Sequence, residues 1–142
     1  MSTPREVMET WFHRVWTEED TSAIEEMFVP DGEARGLGGN VLIGPRDFKQ
    51  FHSALCGLLE DIEITIDKSI EQGDWFSCVC TLRARSEQSG DPVEFTGSVF
   101  IRIVDGKLIE AYNHWDFLNM FGQLGLLPRS TFESALAGQK IT

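Results

Sequence analysis

At 142 residues the chain has the length of one domain, which excludes a tandem of two enzymes. Its residues are 42% hydrophobic, 11% aromatic and 25% charged, enough apolar material for a packed core and unlike disordered or collagen-like chains. Lys and Arg number 12 against 23 Asp and Glu, and the net charge of −11 opposes nucleic acid and anionic membrane as partners.

Cys56, Cys78 and Cys80 are an odd set without CxxC spacing and without histidines at metal-ligand intervals, so they read as small core side chains and no metal site is expected. The first turns carry Arg5, Glu6, Glu9 and Arg14, and no apolar run approaches the ~18 residues of a membrane span. The expectation is a reduced, cytoplasmic, soluble protein. It forms one domain over residues 1–142, with a core of about 3–128 and a tail over 129–142.

Thr3-Pro4-Arg5-Glu6 is a capping box with Pro at the first helical position, and Val7, Met8, Trp11, Phe12 and Val15 follow at helical spacing. A helix of about four turns is predicted there. Asp20 to Phe28 predicts a shorter helix with Ile24, Met27 and Phe28 on one face, ended by a turn at Pro30-Asp31-Gly32. Residues 33–44 read as an irregular strand and loop. The glycine-rich GLGGNVLIG within them does not complete GxGxxG, which argues against a dinucleotide site. Gly44-Pro45-Arg46-Asp47 opens a third helix with Phe48, Phe51, Leu55, Leu58 and Leu59 as its apolar positions.

From Asp61 the period becomes two, with Ile62, Ile64 and Ile66 alternating against Glu63, Thr65 and Asp67. Gln72-Gly73-Asp74 is a turn, Trp75 to Arg85 and Val93 to Val104 are long β-rich runs, and Asp105-Gly106 makes a tight hairpin into Leu108 to Trp115. Helices followed by a meandering sheet form an α+β architecture. The helices close one mouth of a curled sheet and leave a cavity lined by alternate strand residues. Trp11, Phe12, Trp16, Phe48 and Phe51 are core or pocket wall, suited to a flat apolar ligand. The tail carries a short helix around Phe132 to Leu136 or is a loose terminus.

Period-two geometry puts Tyr112, His114 and Asp116 on one face. If that face lines the cavity, Asp116 is a general base and Tyr112 or His114 donates to a developing oxyanion, the roles that proton abstraction next to a carbonyl requires. The other reading has Tyr112 and His114 as satisfied hydrogen-bonding residues and Asp116 as the N-cap of a helix from Phe117 to Phe121. Arg102, sharing parity with Phe100 and Val104, is either a fixed charge near Asp116 or a structural ion pair. His13 and His52 read as surface or groove residues.

The C-terminal half resembles the SnoaL-like polyketide cyclases of the nuclear-transport-factor-2-like superfamily. The residues that carry the resemblance are Phe100-Ile101-Arg102, the hairpin Asp105-Gly106-Lys107-Leu108-Ile109-Glu110, and Asp116 seven positions before Gln123-Leu124-Gly125. Gly44-Pro45 leading into a helix with Phe48, and the aromatic N-terminal helix, are similar to the rest of the pattern. The resemblance implies a conical barrel, with N-terminal helices packed on a curved, mostly antiparallel sheet. It further implies an internal cavity, no cofactor, and a homodimer packed through the sheet. An aspartate matching Asp116 would be the general acid/base of an intramolecular aldol ring closure; Tyr112 and His114, which share its strand face by period and are not part of the family pattern, are the candidates to orient or polarise the substrate. Arg102, Trp11, Phe12, Phe51 and Phe100 are the expected ligand contacts for an apolar, carbonyl-bearing small molecule. Because the superfamily also holds isomerases, dehydratases and association modules, a non-catalytic ligand-binding or dimerisation module stands as the alternative.

Overall fold

The computed structural model describes residues 2–142. Pro4–Trp11 is α1, and the capping box is in place: Thr3 Oγ1 accepts from the Glu6 amide at 3.1 Å and Glu6 Oε1 accepts from the Thr3 amide at 3.0 Å. The expected four-turn helix changes character at Phe12, where a π-helical turn runs to Thr17 and keeps Phe12, Val15 and Trp16 buried. Such wide turns interrupt α-helices at positions that must be re-aimed. Arg14 bonds both Asp20 at 2.9 Å and Glu26 at 2.6 Å, tying this turn to α2, Thr21–Met27, which Asp20 caps.

Pro30-Asp31-Gly32 is not a turn. These residues lie within β1, Phe28–Arg35, where the pairing register slips between Phe28 and Glu33. The irregularity accommodates a proline, which cannot donate to a ladder, and a Gly32 packed so closely on Phe28 that a Cβ would stand 2.3 Å from its ring. A short β2, Leu42–Ile43, leads into α3, Gly44–Cys56, which buries Phe48, His52 and Leu55. That helix stops at Cys56, so Leu59 opens the next strand instead of ending the helix.

β3 is Leu59–Gln72, β4 Trp75–Ser86, β5 Pro92–Val104 and β6 Lys107–Trp115. The sheet order is β2-β1-β6-β5-β4-β3, antiparallel throughout except that β1 runs parallel to β6. Asp105 and Gly106 take positive φ of 52° and 73° at the β5–β6 hairpin, the left-handed pair that matches strand twist. The helices cover one face only, and the core lies between them and the inner side of the sheet, through Phe76, Leu82, Phe95, Val99 and Ile101. The sequence therefore folds into the expected mixed α+β cone of a curved, mostly antiparallel sheet under helices.

α4, Phe117–Gln123, starts at Asp116, and α5, Thr131–Leu136, lies in the tail with Phe132 and Leu136 exposed. Among the described residues no helix is long and apolar enough to cross a membrane.

Candidate functional site

The cone encloses a cavity of about 50 Å³. Three of the chain's four tryptophans, Trp11, Trp16 and Trp115, stand in its wall with Phe12, Phe48 and Phe95. Their rings meet edge-on or tilted: Trp11 and Phe48 centroids are 5.2 Å apart, and Phe95 and Trp115 are 6.1 Å apart at 77°. The half-exposed wall residues Phe51, Trp115 and Phe117 mark a mouth between α3 and the junction of β6 with α4. Trp11, Phe12 and Phe51 thus stand where the sequence reading put them. Gly97 makes room for Trp115 opposite it on β5, because a Cβ there would stand 2.3 Å from the indole. At roughly 10–15 Å³ per water-sized position the space admits a few such groups, about a third of the ~150 Å³ of an apolar cavity that holds benzene.

Among the described residues, Asn113 is the one in the wall whose side chain is polar beyond an indole N–H. It is 9% exposed, and its Nδ2 donates to the Arg35 carbonyl at 3.0 Å. β1 and β6 approach closely there: Gly36, at φ +86°, would carry a Cβ 1.7 Å from the Asn113 carbonyl oxygen, so no other residue fits.

The Tyr112, His114 and Asp116 group does not face this cavity. Leu108 and Ala111 are both buried although their parity differs, because β6 spends two steps, Leu108 to Glu110, against one step of β5, Ile103 to Arg102. The bulge at Ile109 inverts the alternation. Ala111, Asn113 and Trp115 turn inward, and Tyr112 and His114 go to the outer face with His114 exposed. Asp116, between the wall residues Trp115 and Phe117 in the chain, is exposed, and its Oδ1 accepts from the Asn119 amide at 3.2 Å as the N-cap of α4. Phe100 and Arg102 are likewise outside the cavity. Phe100 is 46% exposed and stacks on Trp75 with centroids 4.6 Å apart, and Arg102 lies 3.6 Å from Asp74. Asn113 was missed because it has no titratable group; its signal was the small–polar–aromatic spacing Ala111, Asn113, Trp115 on one strand face.

Behind the wall, His52 is 3% exposed and its Nε2–H donates to the Val15 carbonyl at 2.6 Å, locking α3 to the π-helical turn. Its ring packs 4.7 Å from Trp16. Cys78 and Cys80 are buried free thiols 3.4 Å apart, and burial pushes the Cys56 thiol up to about 12. His13 is exposed beside Glu18. Among the described residues no three His, Cys, Asp or Glu side chains stand together as metal ligands.

The family model of the SnoaL-like polyketide cyclases matches residues 6–124, and the chain belongs to that family. No curated protein matches the sequence. Similar solved structures include a candidate SnoaL-like polyketide cyclase from Jannaschia sp. CCS1, at TM-score 0.75 and 17% identity over 90% of this chain and 99% of that one. IdmH, a candidate polyketide cyclase from Streptomyces antibioticus, gives TM-score 0.75 and 19% identity over 87% and 99%. A protein of ketosteroid isomerase-like fold from Catenulispora acidiphila DSM 44928, in complex with trimethylamine, gives 0.73 and 17% over 87% and 95%. At these identities the likeness is one of fold.

Proposed function

We propose that the protein binds a small apolar molecule inside the cone. The observation that carries this reading is the cavity itself, which is ringed by aromatic side chains and has a half-exposed mouth at Phe51, Trp115 and Phe117. A well-packed core leaves few voids larger than a water molecule, so an apolar space of about 50 Å³ with a half-exposed mouth is a site that a ring enters by turning Phe51, Trp115 and Phe117 aside. Ala111 lines it, and Ala111→Leu fills it from the strand without touching the mouth. Titration of toluene followed by tryptophan fluorescence is expected to saturate in the wild type and to weaken at least about tenfold in Ala111→Leu. Absence of saturable binding by the wild type up to the solubility limit would refute the reading.

A second reading, ring-closing or isomerase-type acid/base chemistry on a polyketide-like carbonyl compound, is supported by family membership and by the position of Asp116 between two wall residues, Trp115 and Phe117. It requires the carboxylate to leave the Asn119 amide and turn into the mouth. On a substrate found by screening, Asp116→Asn would then lower turnover by about 10²- to 10⁴-fold; an unchanged rate would leave Asp116 as a helix cap only.

Self-association through the outer sheet face belongs to the same proposal. It is supported by the exposed Val79, Phe100 and Ile70, with Phe100 stacked on Trp75. Sedimentation equilibrium is expected to give a dimer that Phe100→Glu dissociates, and a monomeric wild type would contradict it.

A further inference from the structure

We infer that the cavity selects a ring bearing a hydroxyl group and that Asn113 is the residue that reads it. The inference rests on the binding reading above and adds to it the polarity of the ligand.

The wall offers very unequal hydrogen-bonding chemistry. The indole N–H groups of Trp11, Trp16 and Trp115 can only donate. Apart from the weak thioether of Met8, the only side-chain acceptor is Oδ1 of Asn113. The amide of Asn113 cannot be turned over without cost. Its Nδ2 bonds the Arg35 carbonyl, and a flip would set two oxygens against each other at 3.0 Å. Oδ1 is thereby committed as the free end of a side chain that is 9% exposed, and it has no partner among the described residues. Among the described residues no buried side-chain polar atom lacks a partner, so Oδ1 is open to a water-sized group; a ligand hydroxyl takes that place as a donor, whereas a ligand carbonyl at the same point opposes oxygen to oxygen.

The size of the space sets the rest. About 50 Å³ is less than a ring needs at rest, so a single ring is the most the space takes when the half-exposed mouth residues turn aside, and a phenol or a small cyclic alcohol is the class of that size that also meets the one acceptor. Gly36 and the Arg35 carbonyl hold Asn113 from β1, so the group is pre-positioned and not free to retreat from the cavity.

Phenol, toluene and benzaldehyde are close in shape and differ in what they present to Asn113. Their dissociation constants, measured by NMR titration, separate the possibilities. The expected result is that phenol binds the wild type at least as tightly as the more apolar toluene and more tightly than benzaldehyde. Asn113→Leu, near-isosteric and without an acceptor, is expected to move the phenol-to-toluene affinity ratio by about tenfold towards toluene. Saturable binding of all three with an unchanged ratio in Asn113→Leu would overturn the role of Asn113 while leaving the binding reading intact. Binding of none of them would overturn the binding reading itself. If Asn113→Leu fails to fold, the wild-type order decides alone: toluene and benzaldehyde both ahead of phenol would overturn the inference.

Discussion

Two phenylalanines of one strand mark the two halves of this molecule. Phe95 points inward, is 2% exposed and meets Trp115 and Phe117 across the cavity wall; Phe100 points outward, is 46% exposed and stacks on Trp75. The strand that carries both has no feature of composition that distinguishes them. What separates them is parity, which the sheet imposes by burying one face under α1, the π-helical turn and α3. On the neighbouring β6 the same rule, shifted by one bulge, turns Asn113 and Trp115 inward and Tyr112 and His114 outward. The apolar interior with one committed amide is the surface to which the proposal assigns binding, whereas the outer face, rich in titratable groups, has no enclosure to work in.

The comparison is broken most forcefully by truncating both rings. Phe95→Ala is expected to cost about 3–5 kcal/mol in urea denaturation, because it removes a buried ring and enlarges a void. Phe100→Ala is expected to cost about 1 kcal/mol, the worth of a half-exposed aromatic stack. Equal costs would mean that the two faces are not distinguished as described. Gly97 gives the next effect. A methyl group there meets the Trp115 indole at 2.3 Å, so Gly97→Ala is expected to lose about 1–3 kcal/mol by overpacking, read from the denaturation midpoint. The smallest effect belongs to Asp116. Asp116→Ala is expected to lower stability by about 1 kcal/mol through loss of the α4 cap, while Asp116→Asn, which keeps an oxygen for the Asn119 amide, loses less. Identical losses in both would show that the cap contributes nothing.

Much of this architecture was legible from local chemistry. The Thr3 to Glu6 capping box, the Gly44-Pro45 opening of α3, the alternation of Ile62 and Ile66 and the Asp105-Gly106 hairpin each specify an element through a few neighbouring residues, and each is found. β1 was hidden because Pro30, Asp31 and Gly32 carry a turn's composition, and only pairing with β6, some eighty residues on, makes them a strand. The aromatic wall at Trp11, Phe12 and Phe51 was legible for the same reason that the helices were. The orientation of β6 was not. One extra residue at Ile109 decides which of two alternating sets faces the cavity, and Leu108, Ile109 and Tyr112 are bulky on both parities. The family match over residues 6–124 settles the fold and leaves that detail to the register of β6 against β5.

The four indole N–H groups give the most direct test that the inner face is the binding surface. Trp11, Trp16 and Trp115 stand in the cavity wall and Trp75 lies on the outer face against Phe100. In a ¹H–¹⁵N spectrum recorded during titration with phenol, ring-current shifts are expected at the three wall indoles, with the Trp75 signal left in place. Movement of Trp75 alone, with the three wall indoles unmoved at saturation, would assign binding to the outer face and contradict the account.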